Sequence, residues 1–127
     1  MFIESIELNN YRNFDSVKVE FSPGVNIFFG DNAQGKTNLL ESIYVSGTSR
    51  SHRGSRDKEL IRFGEDEAHI RLFFQKDSLS HRLDVHLKKN KNKGIAVDGV
   101  PVRRSGELLG ICLLYTSDAA DDGESVD

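Results

Sequence analysis

The stretch Gly30-Asp31-Asn32-Ala33-Gln34-Gly35-Lys36-Thr37 constrains this chain more than any other feature, because it has the spacing G-x-x-x-x-G-K-[ST]. Its flanks have the order that such a loop needs. Residues 25–29 are a short apolar run that reads as a buried strand. Residues 37–44 read as a helix with Leu39, Leu40 and Ile43 on one face. Glycines let successive backbone N–H groups turn inward toward phosphate oxygens, and the positive end of the helix adds to that attraction. The expected nucleotide-binding residues are therefore Gly30, Asp31, Asn32, Ala33, Gln34, Gly35, Lys36 and Thr37, with Asn38 directly after them. Lys36 would reach the β- and γ-phosphates, and the Thr37 hydroxyl would hold Mg²⁺. A Gly-rich turn capping an ordinary helix uses similar letters, but the strand and helix on either side favour the phosphate reading.

Size and composition narrow the class. A chain of 127 residues is one domain's worth, and 37% hydrophobic with 29% charged residues is the balance of an ordinary globular protein. No apolar run approaches the roughly 18–20 residues that cross a bilayer. Residues 1–10 carry Glu4 and Glu7 and lack a basic, then apolar, signal pattern. Cys112 is the single cysteine, which excludes an internal disulfide and suits a reducing cytoplasm. The net charge of −3 hides an asymmetry. Residues 112–127 hold five acidic residues and no lysine or arginine, which leaves 17 basic against 15 acidic residues in 1–111. A mildly basic body neither demands nor excludes nucleic acid.

In chain order, residues 2–8 read as a strand, residues 9–14 as a polar loop pinned by Tyr11 and Phe14, and Val17, Val19 and Phe21 as the inner side of a second strand. Ser22-Pro23-Gly24 turns into the strand before the phosphate loop. After the helix, for which Gly47 is a candidate C-terminal stop, residues 46–58 are polar and rich in arginine. Leu60, Ile61 and Phe63 suggest a short packed turn ended by Gly64. Residues 68–74 and 82–88 alternate as two strands of a hairpin around Lys76-Asp77-Ser78. Lys88 to Lys93 is a basic connector. Residues 95–97 and 100–102 form a second hairpin, with Asp98-Gly99 as its turn and Pro101 confining its strand to an edge. Residues 103–110 begin another element, and the small, acidic stretch from Cys112 has no amphipathic period and reads as unstructured.

Gripping a nucleotide is not hydrolysing it. Hydrolysis needs a second carboxylate for Mg²⁺ and a group that orients water. The one remote candidate, Asp98, has the setting of a turn residue, so the chain is read as lacking its own catalytic carboxylate. His52, His69, His81 and His86 have no metal-ligand spacing with one another or with Cys112. The arginines of residues 50–58 are either a solvated loop or a phosphate-contacting surface. On the second reading Arg50, Arg53 and Arg56, interleaved with Ser49, Ser51 and Ser55, would face DNA backbone or nucleotide. Arg12 could face the nucleotide if its loop folds back over the phosphate loop.

Residues 6–14 (Ile-Glu-Leu-Asn-Asn-Tyr-Arg-Asn-Phe), 30–41, and the run Ser49-Arg50-Ser51-His52-Arg53 with 56–64 resemble the opening of the RecF family. That resemblance implies an α/β fold: the first lobe of an ABC/SMC-type P-loop ATPase head, with the P-loop strand and helix beside an antiparallel sheet. It implies ATP and Mg²⁺ as cofactors, ATP-dependent binding of DNA, and a homodimer that sandwiches ATP. It also implies recombination-mediator partners in a bacterial cytoplasm, in DNA repair and the damage response, and no membrane. By position, Arg12 and Asn13 match the family's loop near the nucleotide, and residues 49–56 match a basic loop beside nucleotide and DNA.

The likeness covers residues 1–111. The family's later signature and second-carboxylate segments have no counterpart here, and residues 112–127 read as a non-native tail of a truncated or chimeric frame. On this reading the chain alone binds nucleotide weakly at most. The rival readings are a non-catalytic basic DNA-binding module, a small P-loop kinase (disfavoured by two strands ahead of the loop), and a chain that does not fold stably by itself.

Overall fold

The computed structural model describes residues 2–22, 33–51 and 53–102. The expected strand at 25–29, the loop residues Gly30, Asp31 and Asn32, His52, the element at 103–110 and the acidic tail lie outside these residues.

Among the described residues six strands form one sheet. They are β1 (Phe2–Tyr11), β2 (Phe14–Glu20), β3 (Glu67–Lys76), β4 (Leu79–Lys88), β5 (Gly94–Val97) and β6 (Val100–Pro101), in the spatial order β2-β1-β3-β4-β5-β6 with every neighbouring pair antiparallel. Alternation explains why. Ala68, Ile70, Leu72 and Phe74 on β3, and Leu83, Val85 and Leu87 on β4, are buried on one face, while His69 and Arg71 point to the other. Ile6 and Leu8 of β1 join the same buried face. On the solvent face the register sets Lys18 beside Glu7, Glu7 beside Arg71, and Arg71 beside Asp84, so opposite charges alternate across four strands.

The expected hairpins are present. The β3–β4 register pairs Lys76 with Leu79, leaving Asp77 and Ser78, both at positive φ, as the turn. Asp98 (φ 52°) and Gly99 (φ 81°) form the two-residue β5–β6 turn, and Pro101 sits on the edge strand.

Among the described residues two helices cover the buried face. Helix α1 (Ala33–Thr48) packs against β3 and β4, and α2 (Asp57–Leu60) against β4. Helix α1 begins inside the glycine motif rather than at Thr37, so Gly35, Lys36 and Thr37 belong to its first turns. The packed face also differs from the expected one. Leu39 is buried and Ile43 partly so, but Leu40 is 44% exposed and Tyr44 lies beside it in solvent. Asn38, Glu41, Ser42 and Ser46 take inner positions with Val45. The Ser42 and Ser46 hydroxyls satisfy themselves within the helix, donating to the Leu39 and Ser42 carbonyls at 2.6 and 2.8 Å. Gly47 is not the stop. The helix continues to Thr48, and Ser49 adopts the left-handed conformation (φ 62°) that Gly47 was expected to supply.

Candidate phosphate-facing cluster on the P-loop helix

Of the six residues expected to form a polar loop at 9–14, four are strand. β1 runs to Tyr11, β2 starts at Phe14, and the turn is only Arg12 and Asn13. Arg12 holds a positive φ of 54°, an unusual conformation for a long side chain, and local bonds stabilise it. Its backbone N–H donates to the Leu60 carbonyl at 2.8 Å, Arg62 N–H donates to the Asn10 carbonyl at 2.7 Å, and Tyr11 bridges Ile61. Residues 60–62 thus occupy the slot beside β1 that β3 vacates after His69. Leu60 and Ile61 are buried there, whereas Phe63, expected to pack with them, is wholly exposed. The reason is the turn at 62–65: Glu65 N–H reaches the Arg62 carbonyl at 3.0 Å, and Gly64 (φ 90°) swings the chain so that Phe63 caps its outside.

This docking aims the β1–β2 turn at α1. Glu41, on the helix one turn beyond Thr37, is the point of convergence, with its side chain 0% exposed. Its Oε1 accepts from the Tyr11 hydroxyl at 2.8 Å and from Arg12 Nε at 2.9 Å. Its Oε2 accepts from Arg12 Nη2 at 2.9 Å, the Ser51 hydroxyl at 2.6 Å and Arg53 Nε at 3.0 Å. Arg53 Nη2 lies 3.0 Å from Oε1 as well, so both guanidiniums grip the same carboxylate.

Asn38, one turn earlier, ties the same pieces together. Its Nδ2 donates to Asn13 Oδ1 at 2.9 Å, and its Oδ1 accepts from Arg53 Nη2 at 2.7 Å. Arg12 Nη2 also donates to the Ser55 hydroxyl at 2.9 Å. Among the described residues no buried side-chain nitrogen or oxygen lacks a partner.

The electrostatics follow from this packing. Burial alone would raise the Glu41 carboxyl, but the bonds from Arg12, Arg53, Ser51 and Tyr11 outweigh it and hold it well below the usual carboxylate range. The Tyr11 phenol is pushed far up, first by burial and then by the adjacent Glu41 charge. The hydrogen bond to Glu41 raises Arg12. Two cations face one anion, so the cluster carries one positive charge more than it cancels, and that excess reaches solvent through side chains 22% (Arg12) and 30% (Arg53) exposed.

The structure therefore brings together Arg12, Asn13, Asn38 and Arg53, four of the residues singled out in the sequence, on the helix that carries Gly35, Lys36 and Thr37. Ala33 and Gln34 start that helix. It does not bring Arg50 or Arg56 into the cluster. Both are exposed, Arg56 pairing with Glu59 at 3.4 Å. The Ser51 and Ser55 hydroxyls, expected to suit phosphate oxygens, serve Glu41 and Arg12. Sequence reasoning missed Glu41, read Tyr11 as packing alone, and gave Ser51 to phosphate rather than to Glu41. The available signal was a polar stripe, Asn38, Glu41 and Ser42, on a helix whose neighbours in space carry Tyr-Arg-Asn and Ser-His-Arg. Asp98 is a turn residue, as expected. Its carboxylate accepts from Arg82 N–H at 2.8 Å and sits 2.7 Å from His81 Nδ1, the contact that most lowers its pKa.

A separate open groove of about 490 Å³, lined by Glu7, His69, Arg71, Asp84, His86 and Pro101 among others, lies on the solvent face of the sheet, with Arg71 between the carboxylates of Glu7 and Asp84. No described helix is long and apolar enough to cross a membrane.

Comparison with known proteins agrees with the geometry. An AAA-domain family model matches residues 5–110. The DNA replication and repair protein RecF of Lachnoclostridium phytofermentans is 54% identical over 111 residues, which are 87% of this chain and 31% of that protein. The chain thus spans about a third of the length of such relatives. A solved structure of the recombination mediator RecF with ATP is 39% identical with a TM-score of 0.79, over 86% of this chain and 30% of that one. At 22% identity an SMC ATPase, from work on ATP-driven dimerization, shares the fold alone, with a TM-score of 0.75 over 87% of this chain and 77% of that one. The fold is that of an ABC/SMC-type P-loop ATPase lobe, and the chain belongs to the AAA-domain family, where it is similar to the N-terminal part of RecF.

Proposed function

We propose that this chain grips the triphosphate of ATP as the nucleotide-binding part of a RecF-like protein of DNA replication and repair. One observation carries the reading. Lys36 and Thr37 stand in the opening turns of α1, and the same helix holds Arg12 and Arg53 with a positive charge in excess. Such a donor set fits a polyphosphate, because helix N–H groups, an ammonium and planar guanidiniums all favour phosphate oxygens. Mg²⁺ bound with ATP would neutralise charge on the β- and γ-oxygens, and Thr37 is the residue that would hold it. Similarity to RecF with ATP, and to SMC heads studied for ATP-driven dimerization, supports an ATP-dependent homodimer. DNA, recombination-mediator partners, a cytoplasmic location and a place in the damage (SOS) response follow from the same family reading. Within it, Arg50 and Arg56, both exposed, are the candidates for DNA phosphates, and Arg53 belongs to the nucleotide end.

The test is a ligand-dependent melt. MgATP should raise the Tm of the wild-type chain, since a ligand that binds only the folded state stabilises it by mass action. Lys36→Ala should abolish that rise. An equal rise in both proteins would overturn the proposal.

A further inference from the structure

A carboxylate offers about four lone-pair directions, and in Glu41 the two arginines, Tyr11 and Ser51 take all of them. Glu41 has nothing left with which to touch a ligand or a metal. What it does, it does to the arginines. Those arginines come from distant parts of the chain, Arg12 from the β1–β2 turn and Arg53 from the segment after α1. Without Glu41 no described group of opposite charge would hold two guanidiniums side by side.

We propose that Glu41 is a positioning residue for phosphate recognition. It fixes the Arg12 and Arg53 guanidiniums to the helix bearing Lys36 and Thr37, so that a polyphosphate meets one pre-assembled set of cations drawn from three segments. The inference rests on the nucleotide reading above and deepens it. Asn38, bonded to both Asn13 and Arg53, braces the same assembly one turn closer to the helix start.

Sign decides the matter. A buried anion close to a phosphate site repels the ligand, so by its field alone, removing Glu41 should tighten ATP binding. Positioning demands the opposite. In Glu41→Gln, measured well below its melting temperature with folding confirmed by circular dichroism, the dissociation constant for MgATP should rise. Loss of a group that orients a metal ligand costs roughly ten- to a hundredfold, and by the same logic a rise of about tenfold is expected for a group that orients phosphate ligands. Arg53→Gln should weaken binding as well, and the double variant Glu41→Gln/Arg53→Gln should lose less than the two single losses combined. Unchanged or tighter binding in Glu41→Gln overturns the inference.

Should Glu41→Gln not fold, the wild-type chain still answers by NMR. The side-chain Nε–Hε resonances of Arg12 and Arg53 should shift together as MgATP or inorganic pyrophosphate is added, and their staying in place at saturation overturns it equally. Failure of the underlying reading looks different. A wild-type chain that binds no MgATP, or a Lys36→Ala variant that binds it normally, removes the nucleotide site and this inference with it. Binding that Lys36→Ala loses and Glu41→Gln keeps removes the inference alone.

Discussion

Glu41 sets the pH response of the chain as well as the shape of its cluster. Its folded-state pKa is depressed, so the stability it contributes is fully present above the ordinary glutamate value of about 4.3 and is lost as pH falls below it. Urea midpoints at about pH 7 and about pH 3.5 should therefore differ in the wild type and differ less in Glu41→Gln. At neutral pH that substitution should itself cost about 3 kcal/mol, because it leaves two arginines facing each other without their counter-charge. A Gln variant with a wild-type midpoint and the same acid sensitivity would show that the carboxylate is not what holds the turn to the helix. Tyr11→Phe is the gentler probe. It deletes one 2.8 Å hydrogen bond, keeps both ion pairs and the buried ring, and should cost about 1 kcal/mol.

At the level of elements, the β5–β6 turn and the 60–64 segment separate two kinds of cost. An added Cβ at Gly99 meets no atom within 4 Å, so Gly99→Ala is penalised by its φ of 81° alone, by about 1–2 kcal/mol in a thermal melt. Leu60→Ala empties a site only 1% exposed and should cost about 2–5 kcal/mol, whereas Phe63→Ser, three residues on, should stay within about 0.5 kcal/mol of wild type. A large loss from Phe63→Ser would mean that the turn packs against something. These same elements show what could be read from residues alone. Hairpins were legible, because period-two alternation and Asp-Gly act through neighbours in the chain. So were the P-loop helix and the two strands ahead of it. Phe63 and Leu40 were not, since apolarity names a candidate for burial but only the docking of 60–62 on β1 decides which residue turns inward. The Glu41 cluster was half legible. Arg12 and Arg53 stood out by type and Asn13 by resemblance, but the carboxylate that joins the two arginines lies 29 and 12 residues away in sequence, and spacing carries no sign of it.

Across the whole molecule the charges are sorted by location. The solvent face of the sheet is compensated strand by strand, from Lys18 through Glu7 and Arg71 to Asp84. The two basic stretches of the sequence, 50–58 and 88–93, are fastened together instead, because Lys93 Nζ lies 3.0 and 3.1 Å from the Asp57 carboxylate. Arg50, Arg56, Lys58, Lys89 and Lys91, on the two stretches so joined, are all exposed. If this junction is where DNA backbone lies, each lost phosphate contact lowers the slope of log affinity against log salt by about one. Arg50→Gln/Arg56→Gln should therefore weaken DNA binding at every sequence tested and lower that slope by about two, while the melt and its response to MgATP stay as in wild type. Arg53→Gln should behave in reverse, losing stability and MgATP response through Glu41 with little change in slope. Fluorescence anisotropy of a labelled oligonucleotide over a salt series measures both. An unchanged slope in the Arg50/Arg56 variant would return those arginines to the role of a solvated loop, and a reduced slope in Arg53→Gln would place its guanidinium on DNA despite its grip on Glu41.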